Sequence, residues 1–206
     1  MRRKPILYHN ITTKGHGKGR IVIGLIGTHH GVGVTHTALM LAFYHGEELG
    51  RRTALLECNR HQDMLLIQKA YEWKREDAFS FSFHQITCYK EVGRNQVAEI
   101  YGEDYESIIL DFGIDFAGNR EEFLRCGVKI VIGGRSEWDL QKLIQFAKAS
   151  EDIRGSNSWL YFIPLAKEKT ITRVSNEIKR RVRPVPDIEE PTVPSRNTNR
   201  FFETLF

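Results

Sequence analysis

Apolar and polar positions change along this chain in blocks, and the blocks alternate between two periods. Ile21–Ile26 is an apolar run, followed by a glycine-containing loop and a helical pattern from Thr35 to Leu49. Gly50 stands where a helix-ending glycine is expected. Thr53–Cys58 reads as a strand and Met64–Lys74 as a helix. Phe79, Phe81 and Phe83 then recur with the period of two that marks another strand. The second half repeats the rhythm, with strands at Ser107–Phe112, Lys129–Ile132 and Trp159–Ile163. Between and after them come a short helix at Asn119–Arg125, a helix at Glu137–Ala149 and a basic helix at Ile171–Arg181. Leu140, Leu143, Ile144 and Ala147 share one face of the second of these. Val182–Ile188 closes the series as a short, proline-punctuated strand, and Pro184–Pro194 reads as a surface turn region. Apolar strands without strict alternation, separated by helices, predict a doubly wound, mostly parallel sheet with helices on both faces.

Length and composition sharpen that picture only slightly. The 206 residues suit one domain, expected over residues 20–206. Residues 1–19 carry Gly15, Gly17 and Gly19 among basic and polar neighbours, which predicts a flexible arm with a short strand at Ile6–Tyr8. A net charge of +4 permits contact with phosphates, nucleic acid or anionic lipid without requiring any of them. No apolar run approaches the ~18–20 residues that cross a bilayer, and MRRKPILYHN lacks the apolar core of a signal peptide. Cys58, Cys88 and Cys126 are odd in number and widely spaced, as in reduced, buried thiols. A cytoplasmic protein is expected.

The candidate chemistry is concentrated in Gly27-Thr28-His29-His30-Gly31-Val32-Gly33-Val34-Thr35-His36-Thr37. This segment lies between an apolar strand and a helix, the context a phosphate-binding loop requires. Gly31 and Gly33 permit close backbone approach, and the free N–H groups of the helix start favour anions. Thr35 is placed to offer a hydroxyl to Mg²⁺. Against G-x-x-x-x-G-K-[ST] the loop departs twice, with Thr28 for the first glycine and Val34 for the lysine. A glycine-rich turn without a ligand is the plain alternative.

From residue 20 to about 205 the chain resembles the ParA/MinD family of P-loop NTPases, including its pilus-assembly branch of CpaE and TadZ type. His29-His30-Gly31-Val32-Gly33-Val34-Thr35 falls onto that family's deviant loop, K-G-G-x-G-K-[ST]. Arg52-Thr53-Ala54-Leu55-Leu56-Glu57-Cys58-Asn59 is similar to its switch segment, with Glu57 and Asn59 at the two Asp positions. Tyr105-Glu106-Ser107-Ile108-Ile109-Leu110-Asp111 resembles its Walker B strand, and Val128–Gly133 the strand after it. The resemblance implies a SIMIBI-like fold that binds ATP or ADP with Mg²⁺ at His29, His30, Gly31, Gly33, Val34, Thr35 and His36. Thr35 and Asp111 would attend the Mg²⁺, and Glu57 and Asn59 would be switch-like. In the family the main loop lysine contacts the β- and γ-phosphates, the signature lysine reaches across a dimer, and the second Asp orients or activates water. Here Val34, His29 and Asn59 occupy those positions, so little or no hydrolysis is expected and no residue is assigned as catalytic. Lys14, Lys18 or Arg20, or a partner chain, could restore the missing charge in a true ATPase. A nucleotide-free scaffold is the third possibility.

The resemblance also implies a homodimer and protein partners in a localisation or assembly system. A histidine near its ordinary pKa of ~6.5 would be drawn toward protonation by a phosphate, so His29 and His30 predict affinity that strengthens as pH falls. A zinc site from His29, His30, His36 and His61 has no supporting spacing. Asp115, just beyond Asp111, reads as a solvated loop carboxylate, with a second acidic group at the strand end as the alternative. Lys179-Arg180-Arg181 with Arg183 reads as a solvated helix face, with DNA contact as the alternative. Phe201, Phe202, Leu205 and Phe206 share one helix face. Core packing is the preferred reading, and membrane targeting the other, since the segment lacks a cationic face.

Overall fold

The computed structural model describes residues 19–71, 77–186, 188–193 and 195–206. The expected arm, apart from Gly19, lies outside them, as do its strand at Ile6–Tyr8 and the end of the helix drawn to Lys74. Among the described residues eight strands form one sheet: β1 (Ile21–Gly27), β2 (Thr53–Glu57), β3 (Ser80–Phe83), β4 (Ile86–Tyr89), β5 (Ser107–Asp111), β6 (Val128–Ile132), β7 (Leu160–Pro164) and β8 (Arg181–Val185). Their spatial order is β3-β4-β2-β5-β1-β6-β7-β8. Every pairing is parallel except the β3–β4 hairpin. The α-helices are α1 (Val34–Phe43), α2 (Asp63–Ala70), α3 (Arg94–Gly102), α4 (Phe116–Arg125), α5 (Glu137–Ala149), α6 (Glu168–Ile178) and α7 (Arg196–Glu203).

The sheet is buried on both faces, which is why its strands lack polar alternation. Ile23 and Leu25 of β1 join Leu55, Ile109, Ile130 and Phe162 beneath α1 and α7. Val22 and Ile26 join Leu56, Leu110, Val131 and Tyr161 beneath α3, α4, α5 and α6. Period two thus survives as a choice between two apolar layers. Phe202 and Leu205 are fully buried in the first layer, with Phe201 and Phe206 packed against it. The carboxyl-terminal aromatic face is therefore core. Among the described residues no helix is long and apolar enough to cross a membrane.

Several boundaries differ from the sequence reading. The first helix is α-helical only to Phe43 and continues as a π-helical turn over Tyr44–Glu48. That turn buries His45, whose Nδ1 lies 2.7 Å from Ser107 Oγ and whose ring stacks edge-on to Phe206. β4 and α3 were not foreseen. The basic run is not one helix face, because Lys179 adopts a left-handed φ of 49° that ends α6. Arg181 and Arg183 then fall in edge strand β8. Asp115 is exposed, as expected, and it also caps α4, accepting the Gly118 N–H at 2.8 Å.

Candidate functional site

Parallel strands all end on one side, so the loops that follow β1, β2, β5, β6, β7 and β8 gather at one rim of the sheet. There the β1–α1 loop turns through Gly31 and Gly33, with φ of 79° and 86°, a backbone region that side chains with a Cβ rarely enter. Gly33 is the N-cap of α1; no side chain caps the helix, and its first turn carries no acidic residue. A helix start of this kind has orphan N–H groups and a positive end.

Val34 occupies the lysine position of the motif and is buried in the core layer under the loop. Its Cγ2 lies so near β1 that a Cβ on Gly27 would meet it at 2.7 Å, and Val32 Cγ2 at 2.8 Å. The two valines seal the floor of the loop with hydrocarbon. Thr35 faces the other way: its hydroxyl donates to Asp111 Oδ2 at 2.7 Å, with Asp63 Oδ2 at 3.1 Å. Asp111 ends β5 fully buried, and its other carboxylate oxygen accepts the Gly113 N–H at 2.9 Å. Burial raises its carboxyl above the ordinary range, partly offset by these two hydrogen bonds.

Of the histidines in the loop, His29 has both ring nitrogens engaged. Its Nε2 lies 2.8 Å from Asp139 Oδ1 at the start of α5, and its Nδ1 lies 2.9 Å from Thr28 Oγ1. Asp139 also receives the Ser136 hydroxyl at 2.5 Å and Lys142 Nζ at 3.0 Å. Burial pulls the His29 imidazole below its ordinary pKa more strongly than Asp139 lifts it. The His30 and His61 rings lie 5.4 Å apart. Among the described residues no three His, Cys, Asp or Glu side chains converge as a metal-binding set.

The switch-like pair splits. Asn59 Nδ2 donates to the Asp111 carbonyl at 3.1 Å, and its Oδ1 accepts the His61 N–H at 3.0 Å, so it holds the loop beside the Thr35 cluster. Glu57 is fully buried and accepts the N–H groups of Met64 and Glu91, both at 3.3 Å. It ties α2 and the β4–α3 connection to the sheet. Burial raises its carboxyl too. Arg20 is no substitute cation: its guanidinium is bound to the carbonyls of Tyr101, Glu103 and Tyr105, at the start of β1 and thus at the rim opposite the loop. Lys14 and Lys18 lie outside the described residues.

Two clefts flank the loop. One, of about 400 Å³, is lined by His30, Thr35, His61, Asp63 and Gly113. The larger, of about 630 Å³, runs from His29, His30 and His36 past Arg135 and Asp139 to Leu165 and Ile188. Asp63, Arg135 and Asp139 were missed in the sequence. Asp139 had a signal, since Ser136-Glu137-Trp138-Asp139 is a capping-box pattern.

A glycine-turned strand-to-helix loop over a Thr–Asp pair, at the switch of a doubly wound parallel sheet, defines a P-loop NTPase type of fold. By sequence the chain matches no family model and no curated protein. By structure it is similar to a ParA family ATPase of Chlorobium tepidum, with TM-score 0.64 and 15% identity over 84% of this chain and 86% of that one. A putative plasmid partition protein of Borrelia burgdorferi, bound to AMPPNP, gives TM-score 0.67 and 12% identity over 91% and 97%. The septum site-determining protein MinD of Pyrococcus horikoshii, complexed with Mg-ADP, gives 0.59 and 15% over 90% and 94%. The fold is that of the ParA/MinD ATPases.

Proposed function

We propose that this chain is a ParA/MinD-like nucleotide-binding protein that holds ATP or ADP with Mg²⁺ weakly, hydrolyses it little or not at all, and acts as a spatial-organisation or assembly factor. Pilus, secretion or division positioning is the kind of task meant, carried out in the cytoplasm through homodimers and protein partners. The carrying observation is the pairing of Thr35 with Asp111 above a loop floor sealed by Val34. The donor set fits Mg²⁺: a hydroxyl and two carboxylates are the hard oxygen ligands this ion takes, and the raised Asp111 carboxyl would be relieved by a cation. The loop fits phosphate through its uncapped helix start. The AMPPNP and Mg-ADP of two structural neighbours support the same reading.

Mg²⁺, when bound, supplies charge that offsets the phosphates. Thr35 and Asp111 would hold it, with Asp63 beside them, and backbone amides from Gly31 to Thr35 would orient the phosphate chain. Val34 supplies neither donor nor charge, and a lost charge-assisted contact costs on the order of 1.5–3 kcal/mol. Asn59 has its oxygen committed to the His61 N–H and cannot take a proton from water as a carboxylate does. Binding thus survives these departures better than hydrolysis.

Calorimetric titration with Mg-ATP and Mg-ADP, run beside Val34→Lys, tests this. The wild type is expected to bind weakly without turnover, and the lysine to tighten ATP by about tenfold or more. Silence from both would leave the scaffold reading. The ATPase reading has one observation in its favour: Arg135 lines the larger cleft and has no ion pair among the described residues. Mg²⁺-dependent turnover abolished by Arg135→Ala would establish it.

A further inference from the structure

The two clefts at the loop are not where the molecule concentrates positive charge. The larger sets Arg135 beside Asp139, and the smaller is lined by Asp63 with no Lys or Arg. A third cleft, of about 360 Å³, lies toward the opposite rim, between α4 and the segment joining α5 to β7. Arg120 and Leu124 come from α4, Lys129 from the start of β6, and Arg154 and Trp159 from the far wall. Three cations meet one carboxylate, Asp152, a net +2 in a chain whose whole formal charge is +4.

These cations are largely uncommitted. No side-chain ion pair or hydrogen bond engages Arg120 or Arg154 among the described residues, although Asp152 lines the same cleft. Lys129 is half-buried, and its ammonium makes one hydrogen bond, to the Cys126 carbonyl, of the three it can donate. Burial lowers its pKa, an effect that a neighbouring anion would oppose. Two guanidinium forks beside an ammonium suit an oxyanion, which they can grip bidentately. Leu124, Ile153 and the buried face of Trp159 add an apolar wall. The volume lies in the range of small-molecule sites.

We propose that the Arg120–Lys129–Arg154 cleft is a second binding site, distinct from the loop, for a small di- or polyanion bearing phosphate or carboxylate groups. Free cations give it attraction, the Trp159 wall gives it shape, and its position leaves it separately addressable from the loop.

Trp159 reports on the site directly. In ¹⁵N-labelled protein its indole resonance is assigned with Trp73→Phe and Trp138→Phe, and followed while pyrophosphate, citrate and a short DNA duplex are each titrated at constant ionic strength. The expected result is a saturable shift with pyrophosphate or citrate, and whichever saturates first identifies the anion class. Arg120→Gln and Arg154→Gln, both at exposed positions, should each weaken it about tenfold or more. A shift that grows without saturating, or that either glutamine leaves unchanged, overturns the proposal. Saturation by DNA alone also overturns it and makes the cleft part of a nucleic-acid surface.

Discussion

His29 and Asp139 stand 110 positions apart in sequence and 2.8 Å apart in space, Nε2 to Oδ1. The Thr28 hydroxyl at Nδ1 and the carboxylate at Nε2 together fit a neutral imidazole that accepts at Nδ1 and donates at Nε2. The side chain at the signature-lysine position is thus tied within its own subunit, to the first turn of α5. Freeing it should change how the loop treats anions. Asp139→Asn is expected to lower the His29 pKa further, because the carboxylate is the group that raises it, and histidine NMR titration reads this directly.

Nucleotide affinity should depend on pH through the same ring. A bound phosphate favours the imidazolium, so Mg-ATP affinity is expected to rise as pH falls from about 7.5 to 5.5. Burial places His29 below its ordinary pKa, so the rise comes mainly below ~6.5. His29→Gln should flatten it. Calorimetry across that range checks this, and a flat wild-type profile would remove His29 from the phosphate site.

His45 predicts acid sensitivity of the fold itself. It is fully buried, its pKa is pushed down to about 3 by burial and then by Arg51, and its Nε2 has no partner. Below ~6.5 the unfolded chain takes up a proton that the folded chain refuses, so this group removes stability as pH falls from ~6.5 toward 3. The full span amounts to on the order of 5 kcal/mol. Urea denaturation at pH 7 and pH 4.5 should show the loss, and His45→Gln should make it shallower.

Asp111 sets a stability cost against a binding role. Removing a buried negative charge that the Thr35 hydroxyl and the Gly113 N–H only partly compensate is expected to raise stability at neutral pH by about 1 kcal/mol in Asp111→Asn. The same substitution should cancel any stabilisation by millimolar Mg²⁺. Thermal unfolding with and without Mg²⁺ decides it; a variant still stabilised by the ion would clear Asp111 of the role.

Gly27 and Val34 should behave as a coupled pair. Gly27→Ala would place a methyl 2.7 Å from Val34 Cγ2, and overpacking of this kind costs about 1–3 kcal/mol. In a double-mutant cycle Val34→Ala should recover part of that loss. Additive effects would mean that the loop floor relaxes freely.

The sheet and the loop could be read from the chain because each depends on local pattern. Ile21–Ile26 and Ser107–Phe112 are apolar on both faces, and Gly31 and Gly33 stand where the backbone turns left-handed. The β3–β4 hairpin was hidden because its turn, His84-Gln85, contains no glycine; His84 itself adopts a φ of 48°. Helix α3 was hidden because only Val97 and Ile100 of its nine residues are buried. Thr35 and Asp111 were legible through their motifs. The His29–Asp139 contact was not, since it depends on β6 lying beside β1, a choice of strand order made by the whole sheet. Glu57 matched a motif position, and its hydrogen bonds to the Met64 and Glu91 N–H groups could be seen only once the fold brought those segments together.

The placement of β1 also sets a schedule. The earliest strand among the described residues sits between β5 and β6, with Gly27 in register with Ile132, roughly a hundred residues downstream. During synthesis at about 5–20 residues per second it must wait on the order of ten seconds for its neighbours to emerge. Its apolar run has no parallel partner until then, and the loop it carries meets Asp111 only when β5 arrives. A nascent chain stopped before β5 therefore holds the β1–α1 loop without the Asp111 that its Thr35 hydroxyl reaches, and one stopped before β6 lacks the strand that flanks β1 on its other side.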